Sequence, residues 1–164
     1  MSATDLVIMD EDHRRFADVL ERLRGDANAN LTFLLDRNGQ QIAMAGATDR
    51  IDTTSLASLT AGNVAATDGL AQLIGEKEFS ILFHEGENEH LHISVVASRG
   101  ILVVLFDEKS SLGLVRLRVK KAGTELGTIM DEVTEREQDR QHPGAGGTSP
   151  FSEITDDDID ALFS

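Results

Sequence analysis

Three histidines fall close together in this chain, His84 in "ILFHE" and His90 and His92 in "EHLHI". Alternation along a strand puts His90 and His92 on one face, and His84 sits on the strand before, so a three-nitrogen metal site is one reading. No neighbouring acid pattern supplies the outer carboxylates that orient metal-bound imidazoles, so solvent-facing or partner-facing histidines are the plainer reading and no metal is expected. The chain has no Cys, which removes thiolate zinc sites, a nucleophilic thiol and any disulfide framework, and fits a reducing compartment. "TAGNVAA" lacks the lysine and the preceding strand of a phosphate loop. Ser98, Arg99 and Gly100 read as a turn, and no Ser/His/Asp arrangement stands in a recognisable context. With no catalytic constellation, the expectation is a protein that binds, not an enzyme, and that carries no cofactor.

Charge narrows what it binds. The net charge is −14, so phosphate backbones and anionic lipid surfaces are repelled overall, and neither nucleic acid nor membrane insertion is expected. No apolar run approaches the roughly 20 residues of a membrane helix, and the N-terminus lacks a basic start with a continuous apolar stretch; a cytoplasmic protein is expected. Arg116, Arg118, Lys120 and Lys121 are a local exception. They read as a solvated helix face or as a contact for an acidic partner, the chain's own tail included.

The elements that position these residues follow from periodicity. Phe16, Val19, Leu20 and Leu23 recur at helical spacing from Asp10, and Gly25 ends that helix. "LTFLLD" and "QQIAMAG" flank Asn38-Gly39, a pair that tolerates the positive φ of a hairpin turn. Asp52 and Thr53 open a second helix that Gly75 closes after Ile74. "EFSILFHE", "EHLHISVVA" and "GILVVLFDE" read as an antiparallel meander. From Leu112 to Glu137 the apolar positions suggest a last helix, although "VRLRVKK" alone alternates like a strand. The predicted fold is α+β, in the order αββαβββα, with a five-stranded antiparallel sheet and helices on both faces.

Residues 1–137 form the predicted domain, residues 138–151 a flexible linker of Gly, Pro, Ser and charge, and residues 152–164 an acidic amphipathic tail peptide. In "SEITDDDIDALFS" the apolar Ile159, Leu162 and Phe163 fall on one side of any helix begun at Thr155, and Asp157 and Asp158 are among the acids before them. Such a peptide either docks on its own domain or is offered to another protein.

The middle helix carries two stripes. Leu56, Leu59, Asn63, Ala66, Leu70 and Leu73 suit packing against a sheet or a neighbouring helix. Ser58, Ala61, Gly62, Ala65 and Gly69 expose only small side chains, and glycine costs a helix interior about 1 kcal/mol relative to Ala, so a close backbone approach should offset it. The approaching element is either the protein's own sheet or a docking partner.

The element order, with "FLLDRNGQQIAMAG", "IDTTSLASLTAGNVAATDGLAQLIGE" and "ILVVLFDEKSSLGLVRLRVKKA" in sequence, resembles the roadblock family of dynein light chains and bacterial regulators over essentially the whole chain. The resemblance implies a homodimer joined edge to edge through the third strand, about Phe79 to Glu85, with Phe79, Ile81, Phe83, Leu59 and Asn63 at the interface. It is closest to the bacterial branch that activates a Ras-like small GTPase. It therefore implies a GTPase-activating role toward the GTP form, with Ala61, Ala65 and Gly69 meeting the GTPase and Asp68 and Gln72 at the rim. The implied mechanism rearranges the GTPase's own arginine and glutamine, and GTP and magnesium belong to that partner. The tail resembles a segment that reaches a second surface of the GTPase and assists exchange. It is also similar to peptides that bind receiver domains, which leaves a roadblock scaffold with a receiver-like partner as the alternative.

Overall fold

The computed structural model describes residues 7–141. Ile8–Met130 form one compact unit, and the described residues from Asp131 onward belong to a second. The elements are α1 (Asp10–Asp26), β1 (Leu31–Asp36), β2 (Gln41–Gly46), α2 (Thr53–Leu73), β3 (Ile81–Glu85), β4 (Glu89–Val96), β5 (Gly100–Asp107) and α3 (Leu112–Gln141), the order the periodicity predicts. No helix among the described residues is long and apolar enough to cross a membrane.

Local chemistry sets the ends. The Asp52 carboxylate caps α2, accepting from the Ser55 N–H at 3.1 Å and the Ser55 hydroxyl at 2.8 Å, and Gly75 follows the helix in the left-handed region at φ +84°. "VRLRVKK" is helical despite its alternation, because Ser111 caps it, its Oγ accepting from the Leu114 N–H at 3.2 Å. α3 also continues to Gln141, into the stretch read as linker. Straight-chain residues there favour helix without any apolar period, and Arg140 pairs with Glu137 one turn back at 3.6 Å.

The strands pair antiparallel in the order β2-β1-β5-β4-β3, so β5 lies in the middle while β2 and β3 are edges. Register makes Phe33, Val103, Ile93 and Leu82 one cross-strand row and Thr32, Val104, His92 and Phe83 the next, on opposite faces. The first row belongs to a core in which Phe33, Leu35, Ile93, Ile101 and Val103 pack with Ala57 and Val64 of α2. On the other face α1 is tied to β1 by the Thr32 hydroxyl, which donates to the Leu20 carbonyl at 2.8 Å. The part of α3 up to Met130 lies on that face too, the Met130 side chain lying where a Cβ at Gly100 would be. Gly100 therefore belongs to β5, and the β4–β5 turn is made by Ala97 and Ser98 at φ +52° and +60°.

Candidate functional site

The interior side of α2 is neither of its two stripes. Ala57, Thr60, Val64 and Ala71 are buried, whereas Leu59, Leu70 and Leu73 of the leucine stripe are 74%, 56% and 83% exposed. The sheet beneath carries bulky Phe33, Leu35, Ile93 and Ile101, so the helix seats close by turning small side chains inward. The leucines are left on the outside, and with Ile74 they form an apolar strip that nothing in this unit covers.

The small-residue stripe divides. At its start the β1–β2 turn lies against the helix. That turn is closed by the Asp36 carboxylate, which accepts from the Asn38 and Gln40 N–H groups at 2.9 Å each. A Cβ at Gly39 would stand 3.4 Å from the Ser58 Cα and 3.5 Å from the Ala61 Cβ. Ala61 is half-buried and packs on the core, while Ser58 is exposed. Beyond that point Gly62, Ala65, Gly69 and Gln72 are all exposed, and a Cβ at either glycine would meet nothing within 4 Å. Close packing on the chain's own structure therefore accounts for Ala61, and a smooth free surface remains over the following two turns.

Asp68 is half-buried and already engaged. Arg37, which begins the β1–β2 turn, places Nη1 3.3 Å from Asp68 Oδ2 and Nη2 2.8 Å from Glu78 Oε2, while its Nε donates to the Ser98 carbonyl at 2.8 Å. One guanidinium thus joins the first turn, the flank of α2, the segment before β3 and the β4–β5 turn. Sequence reasoning missed Arg37; its place immediately before Asn38-Gly39 was the available signal. Arg99, read from the sequence as part of a turn, is exposed in the β4–β5 turn next to Ser98 and forms no ion pair among the described residues.

Around the β3 edge, Ile81 is exposed and Phe79 and Phe83 are half-buried. The Phe83 ring lies 6.1 Å from both the His90 and the Phe106 rings, on the α3 side of the sheet. On the α2 side the Asn63 amide meets His84 Nε2 at 2.9 Å. The three histidines therefore do not converge: His84 faces α2, and His90 and His92 face the other way. Among the described residues no group of three or more His, Cys, Asp or Glu could hold a metal ion. His90 Nδ1 accepts from the Gly86 N–H at 3.2 Å. His92 is 1% exposed with neither ring nitrogen bonded, and its pKa is lowered, first by burial and then by the nearby Arg116 charge. Asp157, Asp158, Ile159, Leu162 and Phe163 lie outside the described residues.

A family model described as the Roadblock/LC7 domain matches residues 15–106. Among solved structures, MglB of Myxococcus xanthus is similar with 56% identity and a TM-score of 0.74, over 78% of this chain and 96% of that one. The gliding protein MglB of Thermus thermophilus is similar at 35% identity and a TM-score of 0.74, over 78% of this chain and 97% of that one. A structure of MglB with a tetrameric arrangement shares 34% identity at a TM-score of 0.74, over 79% and 97% of the two chains. No curated protein matches by sequence.

Proposed function

The chain belongs to the Roadblock/LC7 domain family, and from that premise we propose that it is a regulator of a Ras-like small GTPase of the MglA type. In this reading it is a GTPase-activating protein. A homodimer binds the GTP form through α2 and rearranges the GTPase's own catalytic residues, in control of cell polarity and motility. The protein works in the cytoplasm, enriched at a cell pole, and brings no cofactor; GTP and magnesium come with the partner.

The observation that carries this reading is the free face of α2, where Gly62 and Gly69 stand in open space in the body of a 21-residue helix. Two glycines weaken such a helix by about 1 kcal/mol each, and a partner lying close against them offsets that loss. The 56% identity with Myxococcus xanthus MglB supports the choice of partner. The homodimer is supported by the open edge of β3 and the outward Leu59 and Leu70, an apolar strip and a strand edge that a second copy would cover together.

Activation without a donated arginine requires only that the dimer prefer the rearranged GTPase over the resting one, and the acceleration cannot exceed that preference. Arg37 fits this mechanism because its guanidinium is held by two carboxylates and a carbonyl. Arg99 is the competing feature, an uncommitted arginine in the turn that Arg37 ties toward Asp68.

The deciding experiment is single-turnover GTP hydrolysis by the cognate GTPase, alone and with the wild-type protein, the double variant Ala65→Arg, Gly69→Arg, and Arg99→Ala. Acceleration by the wild type and Arg99→Ala but not by the double variant is the expected pattern. Loss in Arg99→Ala would replace the mechanism with arginine donation, worth several orders of magnitude in rate. No acceleration, with binding equal for GTP and GDP forms, would make the protein a scaffold. Deletion after Pro150 tests the tail, and unchanged affinity and nucleotide exchange would remove it from the contact.

A further inference from the structure

On the side of the sheet away from α2, α3 leaves the β3 edge uncovered and a cleft of about 600 Å³ opens along the helix. Its sheet wall runs from Ile81 to Ser94 and Val96, with Val119 opposite and the small Ala97 and Gly123 at the end. Volume and apolar lining both fall in the range of small-molecule sites. In a chain with 29 acidic and 15 basic residues, no residue lining this cleft is acidic. Arg116 and Lys120 stand one helical turn apart along it, both exposed and neither in an ion pair among the described residues. Leu117 between them is 62% exposed.

The cleft also accounts for an anomaly. Buried polar groups are almost always bonded, yet His92 and Ser94, 1% and 7% exposed, line it with no partner for either ring nitrogen or for the hydroxyl. They occupy one face of β4 two residues apart, His92 opposite Phe83 and Ser94 opposite Ile81. Unsatisfied groups below two free cations are what a site for a polar-headed ligand leaves when nothing is bound.

We propose that this cleft binds a soluble amphipathic carboxylate, its apolar body along Ile81, Val119 and Leu117 and its carboxylate between Arg116 and Lys120. The charge pattern selects an anion, and the apolar wall selects against small inorganic ones. The site lies across the sheet from the α2 face and apart from the GTPase contact, while its Ile81 end adjoins the β3 edge that the proposed homodimer pairs.

The test is calorimetric titration of the full-length protein with sodium decanoate, below its micelle concentration, and with decyltrimethylammonium as the cationic counterpart of equal chain length. Saturable binding of decanoate at one site per chain is expected, at least tenfold tighter than the cation, with amide shifts concentrated at Val95, Ala97 and Thr124. Arg116→Glu with Lys120→Glu should weaken it by tenfold or more, since each charge-assisted contact contributes about one decade. Both residues are exposed, so the variant is expected to keep the wild-type circular dichroism spectrum. Equal affinity for both amphiphiles, or no effect of the charge reversal, would overturn the proposal. Sedimentation with vesicles containing anionic phospholipid without any binding of free decanoate would overturn it too, in favour of a membrane surface.

Discussion

Arg37 Nη1 stands 3.3 Å from Asp68 Oδ2, and through that contact the turn after β1 fixes the flank of the helix offered for docking. The two side chains are 32% and 26% exposed, which keeps each ion pair of the guanidinium to about 1 kcal/mol or less. Arg37→Ala, which also loses Glu78 and the Ser98 carbonyl, is expected to lower the unfolding free energy by about 1–2 kcal/mol in urea titration. Arg37→Lys should recover less than half, since a compact ammonium does not span acceptors set around three separate nitrogens of a planar guanidinium. An unchanged midpoint in Arg37→Ala would show that the clamp holds nothing.

The open glycines of α2 predict a separation of stability from function. Gly62→Ala and Gly69→Ala should each stabilise the fold by up to about 1 kcal/mol, because a Cβ there meets nothing within 4 Å. Gly69→Arg alone should leave thermal stability close to wild type while reducing GTPase acceleration. A destabilising alanine would mean that the face is already occupied.

Gly39 behaves in the opposite way. At φ +88° a side chain is strained by the backbone itself, so Gly39→Ala should cost about 1–2 kcal/mol in chemical denaturation. Its Cβ would meet Ser58 at an ordinary contact distance of 3.4 Å, so crowding adds little. A neutral outcome would require the turn to move off α2.

His92 sets a pH dependence. Its folded-state pKa lies below the ordinary histidine value of 6.5, so the folded protein holds the neutral ring while the unfolded chain takes up a proton first. Stability from this group is complete above about pH 6.5 and is lost as pH falls through that value toward the folded pKa. Melting temperatures between about pH 7.5 and 5.5 should therefore fall more steeply for wild type than for His92→Gln. The window lies above the titration of Asp52 and Asp107, whose pKa values are lowered from 3.8 by hydrogen bonds from Ser55 and Asn30 respectively. Parallel slopes would show that His92 is not held neutral.

Leu59, 74% exposed on the outer side of α2, is expected to stabilise association rather than the fold. Leu59→Asp should change the stability of the monomer by no more than about 0.5 kcal/mol and shift sedimentation velocity toward the monomer. Unaltered self-association would take this strip out of the dimer.

Element type and order were legible because the chain punctuates itself well. Asn38-Gly39, Asp52 and Gly75 act in the structure as their chemistry predicts. What periodicity could not resolve was the orientation of α2. A helix with apolar residues nearly all round has no dominant stripe, and the choice fell to the sheet, whose large side chains left room for Ala57, Thr60, Val64 and Ala71. The Arg37 clamp was hidden because its acceptors lie 31, 41 and 61 residues away, beyond any local pattern. The left-handed turn at Ala97 and Ser98 was hidden by Gly100, which looked like the turn residue and is instead a strand residue that Met130 overlies.

The position of β5 has a consequence for synthesis. Among the described strands, Gly100–Asp107 is the last to leave the ribosome, yet it lies between β1 and β4 and bridges the first hairpin and the later strands. Until it emerges, the β1–β2 hairpin and the β3–β4 pair are separate ribbons, and each two-stranded ribbon alone is marginal in water. α2 meanwhile has no finished sheet to lie on, so both its inner alanines and its outer leucines face solvent together. The nascent chain is therefore most exposed to aggregation between the completion of α2 and the appearance of Asp107, when β5 joins the two ribbons under α2 and leaves the opposite face for α3 to cover.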